Sequence, residues 1–323
     1  ALNYSFFHLC NLYFCTGFQI RSIISIRTMD NIKGYIYAAA SSSTFGLAPF
    51  FTISLLSSGF SSFEVLAYRW GVASFALIIF GIFLGETFCI NRKDFGTVFI
   101  LSLFRAATSL SLVIAYQHIA SGVASTIHFM YPLAVALAMM FFFREKKSFS
   151  ILFAVVISLI GAALLSSGEI NFKGGNTTIG LTAAICSVFF YGGYIIGVRK
   201  SRAVNIPSTA LTAYVMGLGA LFFIIGGCLT SGIRLTTDGY AWLNILGLAL
   251  PATAISNITL VKAIKHIGPT LTSIFGALEP LTAVAIGCWV FKENFTVHSA
   301  LGILLILSAV TVVVWHEKKT ERK

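Results

Sequence analysis

Long apolar runs separated by short polar segments dominate this chain. Ten runs contain hardly any charged residues and each extends for about 18 residues or more. They cover approximately residues 33–57, 63–84, 95–116, 120–143, 149–167, 177–198, 208–230, 240–261, 268–291 and 296–315. Since a helix needs roughly 20 apolar residues to cross the hydrocarbon core of a bilayer, each run predicts one membrane-spanning helix. Only residues 117–119 separate the third run from the fourth, which predicts a tight hairpin.

The composition agrees with this pattern and leaves no room for a soluble domain. Of the 323 residues, 57% are apolar and only 10% are charged, and the mean hydropathy is +0.89, whereas a soluble domain is about 25% charged. Residues 1–28 match nothing in the repeat described below and are expected to be a non-native or disordered extension. A signal or interfacial segment is the alternative for this stretch.

The positive charges lie mainly in alternate loops, and this asymmetry predicts the orientation. With the N-terminus on the cytoplasmic side, 17 of the 22 Lys and Arg residues are cytoplasmic and three are external. Cytoplasmic loops of membrane proteins are enriched in Lys and Arg, so both termini are expected in the cytoplasm. The net charge of +11 is thereby explained by topology, and no nucleic-acid partner is predicted.

An internal repeat divides the ten predicted spans into two halves. At a shift of 148 residues, Tyr131-Pro132-Leu133 aligns with Glu279-Pro280-Leu281, and Phe143-Arg144-Glu145 aligns with Phe291-Lys292-Glu293. At a shift of 146 residues, the first and sixth spans align as well. The repeat therefore predicts two units of five helices, at residues 29–168 and 176–316, followed by a basic cytoplasmic tail at 317–323.

Five is an odd number, so the second unit must enter the membrane from the opposite side. The predicted fold class is thus an all-α polytopic membrane protein with ten transmembrane helices in a 5+5 inverted repeat. Inverted repeats are typical of secondary transporters, whose substrate site lies near mid-membrane at the interface of the two repeats. The architecture favours a carrier.

Short motifs at equivalent places in the two halves point to a known family. They are Phe45-Gly46 and Tyr191-Gly192 in the first helix of each half, Arg69-Trp70 in the second helix, Pro132 and Pro280 in the fourth, and Arg144-Glu145 and Lys292-Glu293 after it. With these motifs the chain resembles the EamA-type branch of the drug/metabolite transporter (DMT) superfamily over about residues 33–315. The resemblance implies a membrane carrier for amino acids, other metabolites or drugs, mostly directed outward in bacteria.

Glu279 is the sharpest candidate for coupling chemistry. It lies about 11 residues into the ninth span, hence roughly 16 Å deep at 1.5 Å per residue. A charge at that depth must be paired, hydrated or neutralised. Glu279 is therefore predicted to couple proton movement or to contact a substrate amine, and a purely structural role, hydrogen-bonded to neighbouring backbone, is the alternative.

Two symmetry-related prolines and two side chains near the first of them complete the centre of the predicted site. Pro132 and Pro280 each lack an N–H group, so they predict kinks that line a cavity and serve as hinges; kinks used only for packing are the alternative. His128 lies one turn before Pro132, and Tyr131 is the repeat equivalent of Glu279. Both are predicted to approach Glu279, and a satisfied core histidine is the competing interpretation of His128.

The remaining candidates are two charged and four uncharged side chains. Arg105 is predicted to pair with Glu279 or to bind a substrate carboxylate. Arg69 is predicted to face the cavity, with snorkelling to the outer surface as the alternative. Four further side chains are expected to line a pocket that is mostly apolar with a few polar groups: Phe45, Tyr191, Tyr194 and Asn257.

A secondary transporter is the predicted function. It would export a small organic metabolite, an amino acid or related zwitterion, across the bacterial cytoplasmic membrane by alternating access and in exchange for protons. The alternatives are an exchanger of phosphorylated sugars or nucleotide sugars and, less favoured, an intramembrane enzyme. No metal site, cofactor or catalytic residue is predicted; the expected partners are a small-molecule substrate and the lipid bilayer, and the chain is a monomer or a homodimer.

Overall fold

The computed structural model describes residues 31–119, 121–145, 149–166, 175–230, 232–279, 281–282, 285 and 297–321. All regular elements in these ranges are helices. In chain order the main α-helices are α1 (Asn31–Ser57), α2 (Ser62–Phe83), α3 (Arg92–His118), α4 (Ser121–His128), α5 (Tyr131–Phe142), α6 (Phe149–Ser166), α7 (Thr177–Lys200), α8 (Ser208–Leu229), α9 (Gly239–Ala249), α10 (Ser256–Phe275) and α11 (Val297–Glu321). A short 3-10 helix, Arg202–Asn205, precedes α8. A π-helical segment, Leu250–Ile255, joins α9 to α10.

The predicted membrane character is confirmed at the level of the helices. Six helical segments are long and apolar enough to cross a bilayer, and each of the ten predicted runs contains helix in its described part. The six are α1, α2, α3, α7, α8 and the joined segment Gly239–Phe275. Most of the ninth run after residue 282 lies outside the described residues, so the count of ten helices in a 5+5 repeat stays a prediction.

Prolines mark the interruptions of the helices. Pro132 lies in the first turn of α5, immediately after a turn at residues 129–130 that separates α5 from α4. Pro49 follows a turn within α1, Pro251 begins the π-helical segment, and Pro269 follows Gly268, whose φ of 81° breaks α10. A proline in the first turn of a helix loses no hydrogen bond, because a backbone N–H at that position would have no partner within the helix. Pro280 lies outside the described residues.

Close packing joins helices of the two halves. The main contacts pair α2 with α8, α3 with α7, and α6 with α11. Small residues make the close approach possible in lipid, where packing replaces the hydrophobic effect as the driving force. At Gly219 of α8, an added Cβ would lie 2.1 Å from the ring of Trp70 on α2. At Gly161 of α6, it would lie 2.8 Å from the carbonyl oxygen of Gly302 on α11.

The described residues expose many large apolar side chains and bury several polar ones. Large apolar side chains point outward, and Phe83, Phe142 and Phe149 are each more than four-fifths exposed. Charged and amide side chains lie inside, where Arg105 and Asn257 are almost completely buried. An apolar exterior, with the few buried charges kept away from it, suits a protein whose surroundings are lipid.

Polar contacts tie the two halves together at both ends of the molecule. At one end, the Glu64 carboxylate on α2 accepts hydrogen bonds from the backbone N (2.9 Å) and Nε (3.0 Å) of Arg234, which precedes α9. We call this pair the Glu64–Arg234 latch. At the other end, Thr270 on α10 donates to Glu145 at 2.7 Å, one of the residues of the motif that follows the fourth predicted span. Within the second half, Arg199 donates to the carbonyl oxygen of Lys265 at 2.8 Å.

Candidate functional site

The nine side chains predicted to line the site lie together at the centre of the fold. None of them is more than 8% exposed. They come from helices of both halves: Phe45 from α1, Arg69 from α2, Arg105 from α3, His128 from α4, Tyr131 from α5, Tyr191 and Tyr194 from α7, Asn257 from α10, and Glu279 from the segment after α10. We call this group the central cluster.

Arg105 is held by polar groups from both halves. Its Nε donates to Asn257 Oδ1 at 2.9 Å, and its Nη1 lies 3.4 Å from Ser109 Oγ on its own helix. Asn257 in turn donates through Nδ2 to the carbonyl oxygen of Thr253 at 2.7 Å. That bond fixes the amide so that its oxygen faces the guanidinium.

Four aromatic rings surround the Arg105 guanidinium. Its Cζ lies 5.1 Å from the ring centroid of Tyr191, 5.5 Å from Phe45, 5.9 Å from Tyr194 and 6.0 Å from Trp70. A cation at these distances is attracted by the negative faces of aromatic rings. The rings therefore stabilise a buried positive charge without neutralising it.

Arg69 lies beside Arg105 and faces the interior. Its Nε donates to Thr253 Oγ1 at 2.6 Å, and its Cζ lies 5.6 Å from the Phe45 centroid. Because Arg69 is only 5% exposed, snorkelling to the surface is wrong. Within the described ranges neither arginine forms an ion pair, so the expected pairing of Arg105 with Glu279 is not formed in this structure.

His128, Tyr131 and Glu279 approach one another as the repeat predicts. The rings of His128 and Tyr131 are 5.3 Å apart, and Tyr131 Oη lies 3.5 Å from Glu279 Oε1. His128 Nδ1 lies 2.8 Å from Ser187 Oγ on α7. A phenol, an imidazole and a carboxylate thereby lie next to one another.

Residues at equivalent positions of the repeat meet each other in this cluster. Phe45 and Tyr191, which are 146 positions apart, stack with centroids separated by 6.5 Å. Tyr131 and Glu279, which are 148 positions apart, make the contact described above. Equivalent residues of two related units come into contact only where the axis relating the units passes, so the central cluster lies around that axis.

Sequence reasoning missed four residues that also belong to the central cluster: Trp70, Ser187, Thr253 and Gly276. Trp70 belongs to the Arg69-Trp70 motif but was not assigned to the site. Thr253 is the repeat equivalent of Arg105, and Gly276 is the equivalent of His128 at the same shift. Applying the shift of 148 to each candidate residue is the signal that finds these two partners.

Four buried polar atoms of the cluster lack a hydrogen-bond partner: Arg69 Nη2, Trp70 Nε1, His128 Nε2 and Tyr194 Oη. Among the described residues, these four are the buried side-chain nitrogen and oxygen atoms without a partner. Buried polar groups in proteins are almost always paired, so each exception needs an explanation. Among the described residues no group of three or more His, Cys, Asp or Glu side chains is placed to hold a metal ion.

The apolar exterior, the helical segments and the buried charged centre define a polytopic membrane protein with an internal polar site. The model of the EamA-like transporter family matches the chain twice, over residues 32–167 and 178–315. The chain therefore belongs to the EamA-like transporter family, and the two matches correspond to two copies of one unit.

Several curated relatives are named as transporters. The chain is 25% identical over 251 residues to an uncharacterized transporter of Archaeoglobus fulgidus, covering 76% of this chain and 86% of the relative. It is 24% identical over 243 residues to the uncharacterized inner membrane transporter YicL of Salmonella typhimurium, covering 72% and 77%. It is 26% identical to GDP-fucose transporter 1 of Dictyostelium discoideum, covering 51% of this chain and 45% of the relative.

The fold also has a solved counterpart. A crystal structure superposes with a TM-score of 0.73 and 16% sequence identity, covering 91% of this chain and 99% of the other. At this identity the likeness concerns the fold alone. Together the comparisons make this chain a multi-pass membrane transporter.

Proposed function

We propose that this protein is a secondary active transporter that exports a small organic metabolite, an amino acid or a related zwitterion, by alternating access. The observation that carries the proposal is the central cluster, where charged and hydrogen-bonding side chains of both halves converge at a buried centre. Secondary transporters built from inverted repeats bind substrate in such a position. The contacts between repeat-equivalent residues support an axis through the site.

Alternating access requires contacts that close one end of the molecule while the other end opens. The structure has candidates at both ends. The Glu64–Arg234 latch joins the halves at one end, and the Thr270–Glu145 contact joins them at the other. The helix breaks next to Pro132 and at Gly268 supply hinges about which the halves can rock.

Glu279 is the residue proposed to couple transport to protons. Glu279 is 7% exposed and its Oε1 lies 3.5 Å from Tyr131 Oη, whereas Arg105 is bonded to Asn257. A carboxylate that exchanges a proton as the site opens to either side would link substrate movement to the proton gradient.

Transport in proteoliposomes tests this role. The substrate is first identified by comparing the metabolites that cells with and without the gene release. Its export is then measured at a series of imposed pH gradients. Glu279→Gln should remove the dependence of flux on the pH gradient. The control is Asp94, a carboxylate that pairs with Arg202 at 3.6 Å near the surface. The Asp94→Asn variant should keep the dependence of flux on the pH gradient. An unchanged pH response in the Glu279 variant would contradict proton coupling.

The proposed location is the bacterial cytoplasmic membrane, with both termini in the cytoplasm. The enrichment of Lys and Arg in one set of loops supports this orientation. The name of the Salmonella relative, an inner membrane transporter, agrees with it.

Exchange of nucleotide sugars is the second candidate. Two observations favour it: the partial similarity to GDP-fucose transporter 1 and the presence of two buried arginines, which bind phosphate well. Counterflow of a radiolabelled nucleotide sugar into preloaded vesicles tests it. We rank it below a zwitterionic solute because the described part of the central cluster contains only two basic side chains, Arg69 and Arg105, beside the carboxylate of Glu279.

A further inference from the structure

The four unpaired polar atoms of the central cluster are not scattered through the fold. Three of them are hydrogen-bond donors carried by side chains that lie around the Arg105 guanidinium. Arg69 and Arg105 both contact the ring of Phe45, at 5.6 and 5.5 Å, and the rings of Trp70 and Tyr194 lie 6.0 and 5.9 Å from the Arg105 Cζ. Arginine and tryptophan nitrogens can only donate, and a tyrosine hydroxyl readily does so. This side of the cluster calls for an acceptor.

The charge on the same side is unbalanced. Two guanidiniums lie against one phenylalanine ring, and neither has an ion-pair partner among the described residues. Each has used its Nε on an uncharged group, Thr253 or Asn257. Buried charges in proteins are normally paired, so the missing partner is an anion. Guanidinium groups bind carboxylates through their remaining N–H donors with well-defined geometry.

The fourth unpaired atom lies on the other side of the cluster and has the opposite character. Ser187 Oγ lies 2.6 Å from the carbonyl oxygen of Ala184, which can only accept, so the serine hydroxyl donates there. His128 Nδ1, at 2.8 Å from the same Oγ, is then the donor to Ser187. In the neutral ring this leaves Nε2 as an acceptor without a donor. This side calls for an N–H or O–H group.

The ring of Tyr191 lies between the donor side and the acceptor side. The Tyr191 ring lies 5.2 Å from the ring of His128 and 5.1 Å from the Arg105 Cζ, and it stacks on Phe45. A molecule that reaches both sides must therefore pass along aromatic surface. Its middle part should be apolar, as in most small-molecule sites.

We propose that the central cluster binds an amphipathic carboxylate, with its carboxylate held by Arg69 and Arg105 and with a hydrogen-bond donor at its far end held by His128 Nε2. Trp70 Nε1 and Tyr194 Oη supply the further donors to the carboxylate. This inference rests on the proposed transport function and adds to it the class of substrate and its orientation in the site.

Binding of simple probes to the purified full-length protein in detergent tests the carboxylate. The probes are 4-hydroxyphenylacetate, its uncharged amide 4-hydroxyphenylacetamide, and phenyl phosphate, measured by titration calorimetry. We expect the carboxylate to bind best and Arg69→Gln to weaken its binding roughly tenfold or more, because a hydrogen bond to a charged group is lost. Arg202→Gln, a surface arginine paired with Asp94, is the control and should bind as the unchanged protein does.

Three results would overturn this assignment. They are equal binding of the amide and the acid, an Arg69 variant that binds the carboxylate normally, and no binding of any probe. Tighter binding of phenyl phosphate than of the carboxylate would instead assign the two arginines to a phosphate group.

The acceptor role of His128 has a separate test. The unchanged protein should bind 4-hydroxyphenylacetate several-fold more tightly than phenylacetate, which lacks the hydroxyl donor. His128→Phe should abolish this preference while retaining affinity for phenylacetate, and His128→Gln, which keeps an acceptor, should restore part of it. A preference that survives in His128→Phe, or that is lacking in the unchanged protein, would contradict the assignment. Size-exclusion chromatography of each variant verifies its folding.

The outcomes for binding and for transport are separable. If the carboxylate probe binds in a way that depends on Arg69 but no solute is transported in proteoliposomes, the binding site is supported and the transport function is rejected. If solute is transported and its flux is changed neither by Arg69→Gln nor by adding the carboxylate probes, the transport function is supported and the proposed substrate class is rejected.

Discussion

Gly276 occupies a position in the central cluster where no side chain fits. A Cβ added there would lie 1.6 Å from Tyr131 Oη and 2.7 Å from its Cζ. At the repeat-equivalent position the chain has His128, so the two halves fill this space differently. One half contributes an imidazole, and the other leaves room for the phenol of Tyr131, which in turn reaches Glu279 at 3.5 Å.

Gly276→Ala should therefore displace Tyr131 and damage both stability and transport. Overpacking of this kind costs about 1–3 kcal/mol, seen as a lower apparent Tm in detergent, and flux should fall because the contact with Glu279 is broken. Gly71→Ala is a matched control on α2, since an added Cβ there has nothing within 4 Å.

A double variant distinguishes the clash with Tyr131 from a general effect of replacing Gly276. Adding Tyr131→Phe to Gly276→Ala removes the oxygen that the new methyl group meets, so the double variant should recover part of the Tm. No recovery in the double variant, or an equal loss in Gly71→Ala, would show that the Tyr131 contact is not the reason.

At the scale of single residues, sequence reasoning identified most of the central cluster but not its bonding. Arg69, Arg105 and Glu279 stand out because charges inside apolar runs are rare. The partners Thr253 and Ser187 do not stand out, since small hydroxyl residues occur throughout membrane helices and usually bond to their own backbone. Only the structure shows that Arg105 bonds to Asn257 rather than to Glu279.

At the scale of helices, the Glu64–Arg234 latch is a polar link between the two halves at one end of the molecule. Glu64 is 3% exposed, and it also caps its own helix together with Ser61. Arg234 lies outside the helices and donates to Glu64 through its backbone and its side chain. The hydrogen bond to Glu64 raises the pKa of Arg234, so the arginine keeps its charge throughout the physiological pH range.

Breaking this link should loosen that end of the molecule. Arg234→Gln should lower the apparent Tm and increase the labelling of a cysteine placed at Ser74, a buried position further along α2. Arg202→Gln is a matched control, because its side chain is 60% exposed against 62% for Arg234 but contacts its partner Asp94 at 3.6 Å rather than 3.0 Å. Equal Tm values for the two variants would mean that the latch contributes no more than an ordinary surface ion pair.

The helices themselves were largely predictable, because spanning a bilayer requires long apolar segments with internally bonded backbone. Their interruptions were predictable only in part. Pro132 predicts the break before α5, but the π-helical segment at Leu250–Ile255 and the left-handed Gly268 depend on how α9 and α10 pack. The sequence shows Pro251 and Pro269 without showing the geometry that each produces.

At the scale of the whole molecule, the orientation in the membrane is open to a direct test. All six cysteines, at positions 10, 15, 89, 186, 228 and 288, are replaced, and a single one is then restored at Cys89 or introduced at Thr237. Both positions are exposed and lie outside the helices. In intact cells a membrane-impermeant maleimide should label the Thr237→Cys protein, whereas Cys89 should be labelled only after permeabilisation.

The reverse pattern would contradict the proposed orientation. Labelling of both positions from the same side would contradict the predicted number of spans between them. A residue in the C-terminal tail, labelled in the same background, checks that the C-terminus shares the side of Cys89.

The sequence by itself determined that this chain is a membrane protein, that it contains a repeated unit and that few charges lie within its spans. These conclusions follow from length, apolar periodicity and self-similarity, which are local or pairwise properties of the chain. The tertiary structure decided which buried groups meet. Hydrogen bonds such as those from Arg105 to Asn257 and from Arg69 to Thr253 join residues more than 150 positions apart, and no local pattern encodes their geometry. The unpaired donors around Arg105 and the unpaired acceptor of His128 emerge only once those bonds are assigned.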